Sequence, residues 1–480
     1  MRLVARPFAN ASSSNAALHV AASGAGLPQL RDDQGRAVLL RGVAVTALVR
    51  YAPDYHENPQ IGDADFAEIA ALGFDFVRLP VSWSAIEPSP GVIDPRYLAE
   101  IATVVRGAER HGLRVLVDMH VDRYNARLAP RDEADGAPNW ATRVPSICPG
   151  QPSPAVCQRT AWQAFWSGRR IDGLTLQDHY VRALEAISRR LRNDRSLAGV
   201  ELMNNPSPGG ETSPRFEADQ LWPFYRRAIA ALRADGESRP LWIDRAASTE
   251  QRDGETPGAP TRPSGDRNLV LAPHDYVAVF SKPEWPAGGQ TRLRGFYSDA
   301  AREATALHTA LMVGEWGAPA GGSWDHLLRA KLGLQNALSI GSSFWLWKQR
   351  PGFYDWHLVN LDGGLRGDTM RAQILSAPYP QAVPGRVVSF GLADGRARMV
   401  IDADRSGTAL LWSGTRMLTG ASTEFSESLV HASLDGHPVV VKLSPRSFHS
   451  AAAALTGDVV AVRVPAGRHT LEVSQSTDRR

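Results

Sequence analysis

Eight short apolar runs, separated by stretches of helical periodicity, constrain this chain more than any other feature of its sequence. They are Val38–Val45, Phe76–Val81, Arg114–His120, Leu197–Asn204, Leu241–Arg245, Leu269–Pro273, Leu311–Glu315 and Ser343–Trp347. Each is mostly apolar throughout rather than alternating, as strands buried on both faces must be. Between them, Tyr180, Leu184, Ile187 and Leu191 recur at helical spacing. Tyr225, Ile229 and Leu232 repeat the pattern behind Pro223, a residue suited to a first helical turn. Eight βα units in series predict a (β/α)8 TIM barrel, an α/β fold. A doubly wound open sheet is the rival, but it often carries a glycine-rich turn after its first strand, and none follows Val45.

After Pro378-Tyr379-Pro380 the texture changes. Arg386–Leu392, Ala397–Asp402, Ala409–Trp412, Val439–Leu443, Val459–Val464 and His469–Val473 are short alternating runs between Asp-Gly, Ser-Gly, Thr-Gly and Ala-Gly turns. This predicts a C-terminal β-sandwich, with helix expected at most over Ser450–Leu455. The expected division is a flexible tail over residues 1–26, a barrel over 27–377 and a sandwich over 378–480. Trp412, the sandwich's single tryptophan, is expected in its core.

A chain of 480 residues is long enough for one large and one smaller domain. Its formal net charge of +3 points to neither a nucleic-acid groove nor an acidic-lipid patch. No apolar run reaches the roughly 18–20 residues of a membrane helix. The N-terminal tail lacks a signal-peptide core, so a secreted or periplasmic location rests on Cys148 and Cys157. These flank a short proline-rich loop and suit either a disulfide or two free thiols.

In a (β/α)8 enzyme the chemistry gathers at the C-terminal ends of the strands. Those ends read Arg78, His120 with Asp122, Asn204-Asn205, His274 with Tyr276, Glu315 and Trp345. Glu315 ends an apolar run between two glycines, a poor place for a mere surface glutamate. Arg78 would support the barrel equally well as a buried ion pair. Trp345 and Trp347 share a strand face by alternation, and Trp345 is the one expected to offer a platform.

At these positions the chain resembles glycoside hydrolase family 5, and within it the endoglycoceramidase group. The resemblance is carried by Leu40-Arg41-Gly42-Val43, Val77-Arg78-Leu79-Pro80, Asp118-Met119-His120-Val121-Asp122-Arg123-Tyr124, Gly136-Ala137-Pro138-Asn139-Trp140-Ala141, Leu202-Met203-Asn204-Asn205-Pro206, His274-Asp275-Tyr276 and Gly314-Glu315-Trp316-Gly317. Pro378–Val383 is similar to that group's linker. The resemblance implies a retaining β-glycosidase, which needs two carboxyl groups about 5–5.5 Å apart. It makes Glu315 the nucleophile, with Arg78 holding its pKa down and Tyr276 donating a hydrogen bond. It implies that His120, Asp122 and Asn204 meet the sugar or support the site, that His274 braces it, and that Trp345 stacks on the sugar. Arg50 and Trp166 match a basic residue and an aromatic of the glycone pocket. No metal and no cofactor are implied. The expected partner is a glycolipid or other β-glycoside, with transient contact to lipid surfaces and none to nucleic acid.

The departure is at position 205, where the group's proton-donating glutamate is asparagine. Asparagine has no proton to give at neutral pH, and a positioned general acid–base contributes typically ~10²–10⁴ in rate. Glu201 lies four residues back along the strand, roughly 13 Å at ~3.3 Å per residue, too far to substitute. Glu211 sits in the following loop, and nothing in the sequence places it. Ala44 is a second departure, standing where the family usually has asparagine. Two functions follow: a weakened glycosidase of the endoglycoceramidase type, or a carbohydrate- or glycolipid-binding pseudoenzyme. A metal-dependent amidohydrolase barrel needs a His-x-His pair on an early strand, and Val43–Val45 offers none.

Overall fold

The computed structural model describes residues 17–22, 26–49, 59–121, 124–125, 136–142, 154–209, 213–246, 265–279, 289–319, 321, 324–349, 356–361, 369–393, 396–419, 428–449 and 453–477. Eight parallel strands close into a barrel: Arg41–Ala44, Phe76–Val81, Arg114–Met119, Leu197–Glu201, Leu241–Ile243, Leu269–Leu271, Ala310–Trp316 and Gly341–Phe344. Closure comes from Ser342 pairing with Arg41 at one seam and Val270 with Ala310 at the other. Each of the eight predicted runs therefore overlaps a barrel strand, Ser343–Trp347 only at its first two residues, and every strand is wholly buried as the lack of alternation required.

The helices form where the periodicity placed them. Pro95–Arg110 begins with proline at its first turn, and the Asp94 side chain accepts from the Arg96 N–H. Leu176–Arg190 is capped reciprocally by Thr175 and Asp178. It buries Tyr180, Leu184 and Ile187, while Trp222–Ala234 buries Tyr225, Ile229 and Leu232.

The C-terminal part is two antiparallel sheets sharing one core. Four of its described strands fall outside the predicted runs: Tyr379–Pro384, which resembled a linker, Arg416–Thr419, Ser428–Leu434 and His437–Pro438. The helix expected over Ser450–Leu455 is absent from its described part, since Ala453–Val464 is a strand paired along its length. Alternate residues of that strand are small or β-branched, and a neighbouring strand on each side satisfies its backbone.

The N-terminus also departs from expectation. His19–Ala21 lies within the expected tail yet pairs with Gln29–Arg31. Arg36–Val38 then pairs with Tyr379–Pro384, so the first strands of the chain extend the C-terminal sheet. The run read as Val38–Val45 is thus two strands, and Leu39-Leu40 carries the chain from sandwich to barrel.

The two parts are packed together. Trp412 is fully buried, as expected, and lies against Gly73, at the turn between the first barrel helix and the Phe76–Val81 strand. Gly73 has φ +84°, and a Cβ there would meet the Trp412 indole at 2.1 Å. Around it, Tyr379 donates to the Gly73 carbonyl at 2.9 Å, Thr415 to Ala71 at 3.1 Å and Arg446 to Phe74 at 3.2 Å.

Candidate active site

The strand Phe76–Val81 points Arg78 into the barrel, where its guanidinium is fully buried. It grips Glu201 through Nε at 2.8 Å and Nη2 at 2.9 Å. Its Nη1 donates to Glu315 at 2.8 Å, and Nη2 reaches Asn204 at 2.8 Å and Asp118 at 3.1 Å. One cation therefore serves three carboxylates. Burial works against the Arg78 charge, but those carboxylates outweigh it and keep the guanidinium protonated.

The carboxylates respond in the opposite direction. Burial pushes Glu201 up to about 7 and Asp118 up to about 6, with Arg78 opposing both shifts. Glu315 is also raised, by burial first, although Arg78, His120 and Tyr276 oppose it. Arg78 acts on Glu315 in the expected direction, but it is shared, and desolvation outweighs it, so the net shift is upward. Tyr276 does donate to Glu315, as expected.

His120 is fixed by Asp118, whose carboxylate lies 2.7 Å from Nδ1. Its ring stacks on Trp345 with centroids 5.5 Å apart and planes 8° from parallel. Trp347 behaves differently. It is buried and donates to Asp65 at 3.1 Å. The two tryptophans do not share a face, because the strand ends at Phe344 and alternation stops governing residues 345–347.

Asn204 and Asn205 follow the strand Leu197–Glu201. Asn204 is fully buried, accepting from Arg78 and donating to the Val121 carbonyl at 3.1 Å. Asn205 is half-buried with φ +44°, a left-handed conformation that asparagine tolerates better than most residues. Its backbone N–H donates to Asp244 at 2.8 Å, and no hydrogen bond from its side-chain amide occurs among the described residues. His274 Nε2 lies 3.5 Å from the same Asp244 oxygen. Burial, then Arg78 and His120, keeps His274 well below its usual pKa and so neutral.

Glu201, Asp244 and His274 lie close enough together to resemble a metal site. The oxygens of the two carboxylates are already engaged. Arg78 takes both Glu201 oxygens, while Asp244 accepts from Asn205 N and from Arg245 N at 2.8 Å. A guanidinium bound to Glu201 disfavours a second cation beside it.

Trp166 sits apart from these residues. It is buried in an aromatic cluster with Trp162, Phe165, Phe216 and Phe224, and donates to the Ser207 carbonyl at 2.8 Å. It braces the loop after Asn205 rather than offering an open sugar platform. Arg50, Asp122, Glu211 and Cys148 lie outside the described residues, while Cys157 is buried.

Sequence reasoning missed Asp118 and Asp244, and set Glu201 aside as too distant. Their signal was present: a carboxylate inside an apolar strand run must be paired to be buried. A cavity of about 770 Å³ lies elsewhere, at the opposite end of the barrel, where Leu39, Ala310 and Gly341 begin or precede their strands.

The family model for cellulase (glycosyl hydrolase family 5) matches residues 32–351. Endoglycoceramidase I of Rhodococcus hoagii (strain 103S) is 28% identical over 52% of this chain and 51% of its own length. An endoglycoceramidase of Cyanea nozakii is 25% identical over 38% of this chain and 41% of its own. The chain thus spans about half the length of these relatives or less. A crystal structure of endogalactoceramidase superposes with a TM-score of 0.72 at 26% identity, covering 95% of this chain and 99% of the other. Endo-glycoceramidase II from Rhodococcus sp. shares the fold, with a TM-score of 0.74 at 24% identity over 94% of this chain and 100% of its own. With the family model covering most of its barrel and the same barrel and second domain in these structures, the chain belongs to glycosyl hydrolase family 5, a family of O-glycosyl hydrolases.

Proposed function

We propose that this chain is a retaining β-glycosidase of the endoglycoceramidase type, acting on the β-glycosidic bond of a glycolipid by double displacement and weakened by Asn205. The observation that carries the reading is Glu315, held from one side by Arg78 and from the other by Tyr276. A carboxylate so fixed at the mouth of a (β/α)8 barrel is built to attack an anomeric carbon. Arg78 neutralises it before attack, and the Tyr276 hydroxyl orients the oxygen that remains.

In this reading His120 and Trp345, stacked and adjoining Arg78, form the floor for the sugar. Asn204, buried with its amide on Arg78 and the Val121 carbonyl, positions the arginine that grips the nucleophile, and His274, neutral, supports the Asn205 segment through Asp244. Arg50 and Asp122 would complete the sugar contacts. Asn205 occupies the acid–base position. A glycolipid as substrate is supported by relatives named endoglycoceramidase and endogalactoceramidase. Such a substrate implies transient contact with lipid surfaces and a secreted or periplasmic site of action.

Asn205 also favours a second reading, a glycolipid-binding protein that keeps the pocket without turnover. Sugar release from a panel of β-glycosyl lipids, by the chain as it stands and by Asn205→Glu, separates the two. A gain of ~10²-fold or more on restoring glutamate supports the glycosidase; no release by either protein supports the binder.

A further inference from the structure

Resting on the reading that Glu315 is the nucleophile, the structure assigns this site a narrower chemistry: glycosyl transfer from β-glycosides whose aglycone departs as a stable anion, to a small anionic acceptor. The donor class is aryl, acyl or similarly activated glycosides, and the acceptor class is carboxylate or a comparable inorganic anion.

The first argument is that the attacking half of the site is complete. Arg78 and Tyr276 hold both oxygens of Glu315. The second is that neither Glu201 nor Asp244 is free to replace the missing acid. Glu201 is locked by a two-pronged Arg78 contact, and the oxygens of Asp244 accept from the backbone of Asn205 and Arg245. The third is Asn205 itself. Its left-handed backbone is anchored by Asp244, and its amide has no hydrogen-bond partner among the described residues. An amide N–H at that position donates a hydrogen bond to an oxygen gaining negative charge, although it transfers no proton. It also lacks the negative charge that would repel an incoming anion.

The steps balance without an acid or base. A Glu315 oxygen bonds to the anomeric carbon while the bond from that carbon to the aglycone oxygen breaks, and the aglycone leaves with the electron pair as an anion. The acceptor anion then attacks the same carbon, the ester bond to Glu315 breaks, and the carboxylate is regenerated. Water is a poor second nucleophile here, because nothing at position 205 removes its proton. The covalent intermediate therefore persists until an anion arrives.

The test uses the full chain with 2,4-dinitrophenyl β-glucoside, β-galactoside and β-lactoside. The expected result is a burst of dinitrophenol stoichiometric with protein and a protein mass increased by one glycosyl unit, both lost in Glu315→Gln. Azide or formate should then raise steady-state turnover at least ~10-fold and, for azide, yield the β-glycosyl azide. In Asn205→Glu, which supplies a base for water, the same anions should change turnover less than ~2-fold. If Asn205→Glu hydrolyses one of these donors while the chain as it stands shows neither burst nor anion response, the proposal is overturned and the site reading survives. If neither protein releases dinitrophenol from any donor, both fall.

Discussion

The backbone N–H of Asn205 donates to the buried carboxylate of Asp244 at 2.8 Å, so the residue proposed for the acid–base position is anchored from a neighbouring strand end. The anchor acts on the main chain and does not engage the side-chain amide. In the proposed reading, asparagine in place of glutamate at this point changes chemistry without dismantling the site.

Asn205→Glu is expected to gain activity and lose stability together. Asparagine visits φ +44° readily, whereas a longer side chain pays up to about 1–2 kcal/mol there. Hydrolysis of a poor leaving group should rise ~10²-fold or more, while the thermal midpoint falls by a few degrees. A gain in stability on introducing glutamate would contradict the assigned backbone role.

The pH dependence of kcat/KM on an activated donor should show one limb. In the proposed mechanism Glu315 must be ionised to attack, and its pKa is raised by burial, so activity should climb with pH and level off above the ordinary glutamate range near 4.5. With Asn205 uncharged, no group at that position has to stay protonated, so no alkaline fall is expected below the pH at which the protein unfolds. Asn205→Glu should restore the bell. An alkaline limb in the unsubstituted chain would mean that another acid operates.

Arg78→Ala removes the one cation shared by Asp118, Glu201 and Glu315. Breaking a buried pair in this way costs about 3–5 kcal/mol. The loss should deepen as pH rises. A carboxyl whose folded pKa is raised favours folding below its unfolded value, and that contribution fades as pH climbs through the folded value, about 6 for Asp118 and about 7 for Glu201. Without Arg78 the same carboxyls stay protonated to higher pH, so the variant should recover stability towards pH 5. Thermal unfolding of both proteins between pH 5 and 8 measures this, and a pH-independent difference would speak against the shared-cation picture.

Gly73→Ala should loosen the contact between barrel and sandwich. The new Cβ meets Trp412 in a left-handed conformation, and the two effects together should cost at least about 2 kcal/mol. Deleting residues after Pro384 goes further. It bares the apolar surface under Trp412, and the barrel alone should be insoluble. A soluble, folded barrel from that truncation would show that the sandwich is not needed to cover it.

The barrel itself was legible in the sequence, because strands buried on both faces must be apolar throughout and the helices covering them must carry a 3.6-residue stripe. The cluster at the strand ends was legible for a related reason: His120, Asn204, His274, Tyr276 and Glu315 are polar residues at or just past the end of an apolar run, and Arg78 is a cation inside one. What local pattern cannot encode is pairing between distant segments. Arg36–Val38 and Tyr379–Pro384 are over 300 residues apart, and only their hydrogen-bonded register makes the N-terminal strands part of the C-terminal sheet. The same holds for charge. The sequence identifies Arg78, but only the packed barrel places three carboxylates on it, and their shared burial reverses the pKa shift that one ion pair alone would produce. Sequence determined which side chains reach the mouth of the barrel; tertiary structure decided which partners each one has, because burial and pairing energies depend on neighbours that the chain order does not name.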